Sequence, residues 1–361
     1  MDYGAPRMTD FSSLLSDVRR RLDERLPRWL APRVAAANAV SPEAGAVAEA
    51  LTKLTLRGGK RMRAALVAVG YVAGSTDAIA DWTVCEPAMI AFELLQTYLL
   101  VHDDWMDHDD VRRGGPAVHA ILRETLGPAL EDAATVLAGD LAAGYAQEAL
   151  FETKVPAERL LAAARAYARV QVDVVHGQLA EMQADRATLG KDCPPASVET
   201  VHALKTASYT TTGPLLLGAA LAGATPARTR ELERFGLSLG IAFQLRDDVL
   251  GVFGDPKTTG KPVWNDIREG KRTALVEELA KEPSAALLLA GVLGNANATH
   301  DELVAVVSAM ESTGARARVE ERVRGLCAEA ERTLQGMAPT LSPTSHAWLS
   351  GAISALGERT A

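Results

Sequence analysis

Residues 102–115 read HDDWMDHDDVRRGG. On a helix, Asp103 and Asp107 stand one turn apart, Gln96 lies two turns earlier on the same face, and Asp104 is adjacent to that stripe. Like charges at this spacing cost a helix about 0.2–0.5 kcal/mol per pair, so a compensating partner is needed. Mg²⁺ is suited to the task, because it takes hard oxygen ligands and typically uses one or two carboxylates plus substrate phosphates. An EF-hand would need an oxygen ligand at Trp105 and a glycine at His108, and has neither. The run FQLRDD at 243–248 places Gln244, Asp247 and Asp248 at i, i+3 and i+4 among the apolar residues Leu239, Ile241, Leu245 and Val249. Carboxylates turned inward there require a proton, a partner or a metal. Either set alone also reads as a solvated acidic helix end; two on apolar helices favour a shared metal cluster.

Cations stand beside both sets. Residues 57–63, RGGKRMR, carry four positive charges and no negative one at a glycine break before a helix, a setting that favours phosphate. Arg112 and Arg113 follow the first acidic set; Lys257, Lys261, Lys271 and Arg272 follow the second. Carboxylates, metal and cations together describe a diphosphate site. Lys205-Thr206 lies in an apolar helix, where a lysine also reads as snorkelling. Glu199-x-x-His202 matches half of a di-iron element, but the second copy and two facing glutamates are missing.

The whole chain of 361 residues is acidic, with 38 basic against 46 acidic side chains and a net charge of −8. That balance argues against nucleic acid as a partner, which would need a basic face. Taken globally it also argues against an anionic substrate. The local balance reverses this: 57–63 is purely basic, and 244–272 carries six basic against five acidic groups. Cys85, Cys193 and Cys327 show no spacing for a disulfide framework or zinc. The N-terminus lacks an apolar signal region, and the apolar stretch Ala88–Val101, interrupted by Glu93 and Gln96, is too short for a membrane span. These features predict a soluble, cytoplasmic protein.

The elements that must position these groups are helices. Leu14, Leu15, Val18, Leu22 and Leu26 form a stripe, and Ser41-Pro42-Glu43 is an N-cap, N1 proline and acidic first turn. Helices are further predicted near 86–108, 129–150, 156–186, 196–223, 227–252, 300–313, 315–336 and 344–357, with a kink at Gly213-Pro214. No alternating strand pattern with a hairpin dipeptide is evident. The expectation is one all-α domain over 1–361, a large helix bundle with an N-terminal helix within 1–40 and C-terminal helices over 284–361 completing it.

GGKRMR (58–63), DDWMD with its trailing RRGGP (103–116), Lys205-Thr206, FQLRDD (243–248), and GDPKTTGKP with REGKRT (254–273) stand in an order that resembles the trans-isoprenyl diphosphate synthases over roughly 50–280. The resemblance implies an antiparallel all-α bundle, usually a homodimer, with both Asp motifs facing a central active-site cavity. It implies condensation of an allylic diphosphate (dimethylallyl, geranyl or farnesyl) with isopentenyl diphosphate. By the same resemblance, Asp103, Asp104, Asp107, Asp247 and Asp248 hold Mg²⁺ on the allylic diphosphate, and Arg112, Lys205, Lys261 and Lys271 meet that group. Lys60, Arg63, Gln96 and Arg113 hold isopentenyl diphosphate. Thr206 and Gln244 sit beside the developing allylic cation, and Gln178 and Glu181 line the cavity.

Three positions depart from the family pattern: Ala64 for a proline, Gln96 for a histidine many members carry, and Gly251 for a third aspartate. Gln96 is still a donor. Tyr98 matches the aromatic position that limits length in short-chain members, and Leu99, one turn below Asp103, points to the tunnel floor. Both are bulky, which implies a C15–C20 product, geranylgeranyl slightly ahead of farnesyl. A terpene cyclase would replace the second Asp motif and lack GGKRxR; a catalytically silent partner subunit would lose Asp or Lys positions that are present here.

Overall fold

The computed structural model describes residues 10–77, 80–185, 196–254 and 263–357. The leucine stripe becomes the buried face of α1 (Phe11–Val40), whose cap Asp10 accepts from the Ser13 amide at 2.8 Å. Ser41 caps α2 (Pro42–Leu56), its Oγ accepting from the Ala44 amide at 3.1 Å. Then come α3 (Met62–Gly74) and, after a 3₁₀ turn, α4 (Glu86–Met106), α5 (Val118–Leu126), α6 (Glu131–Phe151) and α7 (Ala157–Asp185). α8 (Val198–Val201) runs into a π-helical segment, His202–Thr212, and on into α9 (Gly213–Ala222). The remainder is α10 (Pro226–Phe253), α11 (Asn265–Glu269), α12 (Ala274–Ala280), α13 (Ala286–Val292), α14 (His300–Ser312), α15 (Ala315–Met337) and α16 (Pro343–Gly357).

These elements form two compact units. The first comprises residues up to Ala164 with Pro214–Ala224, the second Arg165–Gly213 with Thr225 onward. The core of the first is α4, in which Ala88–Leu95 are all buried. The helical stretch Trp82–Met106 is in fact long and apolar enough to cross a membrane, contrary to the sequence expectation, yet its most apolar window is 72% buried inside the protein. It is built as a core helix.

The all-α expectation holds, with one small exception. Val111–Arg112 (β1) pairs antiparallel with Gly115–Pro116 (β2), Arg112 opposite Gly115. The two-residue loop between them is Arg113-Gly114, with φ of 53° and 72°. Two positive φ values make the tight turn whose twist suits a hairpin. Strands of two residues have no alternation to read, which is why the sequence does not announce them.

In the second unit, α10 packs against the π-helical segment and α15, and its Leu232, Phe235, Leu239, Ala242 and Leu245 are buried. The irregularity expected at Gly213-Pro214 occupies the eleven residues before it. Pro214 has no amide to donate, and the Gly213 amide bonds to the Ser208 carbonyl, five residues back. Ser208 and Thr211 hydroxyls donate to the carbonyls of Leu204 and Ala207, four residues back, supplying donors the wide helix withdraws.

α10 approaches this segment closely at Gly240, where a Cβ would stand 2.3 Å from Thr211 Oγ1 and 2.5 Å from Ala207 Cβ. Gly240→Ala therefore sets a helix-propensity gain of about 1 kcal/mol against overpacking of about 1–3 kcal/mol. The denaturation midpoint is expected to fall. Gly325→Ala on α15, with no atom within 4 Å of the added carbon, is expected to raise it.

Candidate active site

In the first unit the acidic end of α4, the turn before α3 and the hairpin come together. Asp104 is fully buried, and the Arg112 Nε donates to its Oδ1 at 2.6 Å. Arg112 Nη2 also lies 3.7 Å from Asp103 Oδ2 and 3.5 Å from Asp109 Oδ2. Burial pushes the Asp104 carboxyl up from its usual range, and Arg112 opposes the rise. Asp103 is half-buried one residue earlier, and Asp107 is exposed at the helix end.

Beside them, Gln96 takes two arginines. With its amide oriented by its hydrogen bonds, Oε1 accepts from Arg63 Nη1 and from Arg113 Nη2, each at 3.0 Å. The sequence suggested Gln96 as a donor; its carbonyl oxygen is what meets the guanidinium groups. Arg113 Nη1 donates to the Gly58 carbonyl at 2.7 Å. Burial, together with Arg61, Arg63 and Arg112 nearby, weakens the hold of Arg113 on its proton. An anion here would relieve that repulsion. Lys60 is exposed in the same turn.

Two of the four cations at 57–63 are spent on structure. Arg61, 3% exposed and with φ of 51°, pairs with buried Glu93 and with Asp23. Arg57 donates to backbone carbonyls of the hairpin.

In the second unit Thr206, Gln244 and Asp248 form a chain. Thr206 Oγ1 donates to Gln244 Oε1 at 2.9 Å, and Gln244 Nε2 donates to Asp248 Oδ1 at 2.8 Å. The Ala274 amide, at the start of α12, is 3.4 Å from Asp248 Oδ2, as is His202 Nε2. Burial pushes the Asp248 carboxyl up to about 7 and brings His202, with help from Arg322, down to about 4. His202 is therefore a neutral neighbour near pH 7, a role hidden when the sequence was read only for its Glu-x-x-His spacing. The matching signal was its position one turn before Thr206.

Lys205 pairs with Glu181 of α7. α7 comes this close because position 177 is glycine: a Cβ there would stand 2.3 Å from the Lys205 amide nitrogen. Asp247 is exposed, and Lys271 Nζ sits 2.8 Å from Glu269 and 3.9 Å from Asp266. Lys261 lies outside the described residues.

Among the described residues no three His, Cys, Asp or Glu side chains gather in a preformed metal cage. Mg²⁺ does not require one, since substrate phosphates and water complete its shell. The residues present fit that ion: Asp103 and Asp107 offer carboxylates one turn apart, and buried Asp104 Oδ2 has no hydrogen-bond partner.

This helical scaffold is that of isoprenoid diphosphate synthases. It superposes on a geranylgeranyl pyrophosphate synthase from Corynebacterium glutamicum, crystallised with isoprenyl diphosphate and magnesium, at a TM-score of 0.84 and 30% identity, covering 97% of this chain and 100% of that one. A Sulfolobus acidocaldarius geranylgeranyl diphosphate synthase is 35% identical over 262 residues, 71% of this chain and 74% of that protein. A (2E,6E)-farnesyl diphosphate synthase of Mycobacterium bovis is 35% identical over 265 residues, 72% of this chain and 68% of that protein. The polyprenyl synthetase family model matches residues 45–310. The chain belongs to the polyprenyl synthetase family.

Gly251, at the third position of the second Asp motif, has a physical neighbour. A Cβ there would lie 3.2 Å from Asp266 Oδ2. An aspartate at 251 would set two carboxylates against each other beside buried Asp248. Gly251→Asp is expected to destabilise the protein by about 1–3 kcal/mol, and adding Asp266→Asn is expected to restore part of the loss. Equal stability of Gly251→Asp and the parent in denaturant titration would refute this account.

Proposed function

We propose that this protein is a Mg²⁺-dependent prenyltransferase joining isopentenyl diphosphate head-to-tail to an allylic diphosphate (dimethylallyl, geranyl or farnesyl), with a C15–C20 isoprenyl diphosphate as product. The observation that carries the reading is the convergence of Arg63 and Arg113 on Gln96, one helical segment from Asp103 and Asp107. Relatives named geranylgeranyl, farnesyl and geranylfarnesyl diphosphate synthase support the product class.

In this reading Lys60, Arg63 and Arg113 bind isopentenyl diphosphate, with Gln96 setting the plane of the two guanidinium groups. Asp103, Asp104 and Asp107, with Asp247 and Asp248 of the second motif, would hold Mg²⁺, Asp104 and Asp248 from buried positions. Bound Mg²⁺ supplies charge neutralisation of the leaving diphosphate, where negative charge develops. Arg112, Lys205, Lys261 and Lys271 add cationic contacts to that group. The C–O bond of the allylic substrate breaks, and the isopentenyl double bond attacks the resulting cation. Proton loss, with the released diphosphate as acceptor, then completes the new allylic diphosphate. Thr206 and Gln244 present oxygen dipoles to the cation, and apolar walls exclude water that would quench it.

Tyr98 and Leu99 form the floor that limits chain growth. Both are half-buried on α4, and the Tyr98 ring packs edge-on against His102 at 5.1 Å. The geranylgeranyl product is slightly favoured over farnesyl. Two copies pair through apolar helix faces: α6 exposes Val136, Leu137 and Phe151, and α7 exposes Val172, Val175 and Leu179 at three-to-four spacing. We place the reaction in the cytoplasm; support comes from the burial of the span-like stretch Trp82–Met106 within a protein core.

Incubating the purified chain with Mg²⁺, isopentenyl diphosphate and each allylic primer, then sizing the products, tests the reaction. C15 or C20 diphosphate is expected, and no condensation with any primer would sink the claim, leaving the silent-subunit reading. Asp103→Asn and Asp107→Asn should each lower kcat by about 10²-fold or more. Replacing Tyr98 and Leu99 together by alanine should lengthen the product, and an unchanged length would remove them from the floor. Sedimentation should give the mass of two chains, shifting toward one in Leu179→Glu.

A further inference from the structure

The turn before α3 and the hairpin between β1 and β2 exchange arginines. Arg57, at the end of α2, sends Nη1 to the carbonyl oxygens of Arg112 at 3.1 Å and Pro116 at 2.5 Å. Arg113, in the hairpin loop, sends Nη1 back to the carbonyl of Gly58 at 2.7 Å. Each segment thus satisfies the other's backbone with a side chain. The Arg57 fork lies across Gly115, where a Cβ would come within 2.7 Å of its Cζ.

The hairpin needs such a hold. A two-stranded ribbon is at best marginal alone in water, and this one has only two residues in each strand. At its base the Ala117 amide donates to the Asp110 carbonyl at 2.8 Å, and His119 Nε2 lies 3.0 Å from Asp110 Oδ1. Those contacts anchor the ends of the ribbon. Among the described residues Arg57 bonds carbonyls on both strands through the one nitrogen Nη1, and a lysine, whose Nζ ends one bond short of that position, would not reach the pair. The side chains whose aim depends on the ribbon are Arg112, which meets Asp104, and Arg113, which meets Gln96.

We propose that Arg57 is a positioning residue: it holds the 111–116 hairpin in the register at which Arg113 and Arg63 share Gln96, and so preorganises the isopentenyl diphosphate subsite. This rests on the assignment of that subsite under the proposed function. Arg112 has a second hold in its ion pair with buried Asp104, so the allylic side depends on Arg57 less than Arg113 does.

Steady-state kinetics of Arg57→Ala and Arg57→Lys, with each substrate varied in turn, test the proposal alongside amide hydrogen exchange over 111–116. Misplacing a binding group by about 1 Å costs up to about 10²-fold, so KM for isopentenyl diphosphate is expected to rise about tenfold or more in both variants. The allylic KM and kcat should each stay within about threefold, and hairpin exchange should quicken without comparable change elsewhere. An unchanged isopentenyl diphosphate KM, or a proportionate loss in every constant, would overturn the proposal. Should Arg57→Ala fail to fold, Arg57→Gln, which keeps one amide donor, is expected to show the same split. Failure of the unmodified enzyme to condense any primer defeats the functional reading itself, and unaltered exchange in the variants would then defeat the hairpin role separately.

Discussion

A carboxylate removed from water must be met by a donor, and at Asp104 that donor is Arg112. Desolvation costs several kcal/mol per ion even after relaxation, and removing one partner of such a pair costs about 3–5 kcal/mol. The end of α4 is therefore tied to the hairpin whether or not a ligand is bound. Arg113, the next residue, begins the two-residue loop between β1 and β2, and its aim depends further on how Arg57 holds the two strands. From Arg113 the constraint passes to Gln96 and Gly58, and from Gln96 to Arg63. One buried ion pair thus anchors the hairpin from which Arg113 reaches Gln96.

The second unit solves a similar problem, among its described residues, without a formal charge partner. Asp248 is met by the Gln244 amide, the Ala274 backbone and a neutral His202, and burial pushes its carboxyl up to about 7. A cation arriving nearby would favour the ionised form. The π-helical segment makes this arrangement possible. Its wider turn carries His202, Lys205 and Thr206, while its withdrawn carbonyls are satisfied by Ser208 and Thr211. The irregular backbone is held by hydroxyl groups on the segment itself and by close approaches at Gly177 and Gly240.

Helix positions were legible in the sequence because they follow from periodicity and caps: α6, α7, α10, α14, α15 and α16 end within a residue or two of where stripes and punctuation place them. The acidic and basic motifs were legible by type and order. What the sequence could not convey was which charges are already committed. Arg61 looks identical to Arg63 in RGGKRMR, yet one is buried on Glu93 and the other reaches Gln96. The left-handed backbone at Arg61, φ 51°, turns its side chain inward, and no propensity rule assigns that conformation to an arginine. Likewise the Arg-Gly loop of the hairpin lacks flanking alternation, and the π-helical turns differ from α turns only in hydrogen bonds the sequence does not encode.

Net charge was the least informative quantity for the same reason. A value of −8 averages over groups whose fields are extinguished by partners and groups whose fields reach a ligand. Of the arginines near the hairpin, Arg57 serves backbone carbonyls, Arg61 serves carboxylates, and Arg112 serves Asp104. Arg113 differs: its neighbours include three other guanidinium groups, and its proton is held less firmly than usual. A site that keeps cations together at a cost is poised for an anion, because binding recovers what the empty arrangement gives up. The acidic end of α4 bears the opposite cost, like charges one turn apart at Asp103 and Asp107, of the kind a divalent cation offsets. In an acidic protein a local excess of either sign can still be relieved by a ligand of the opposite sign, which the overall balance does not report.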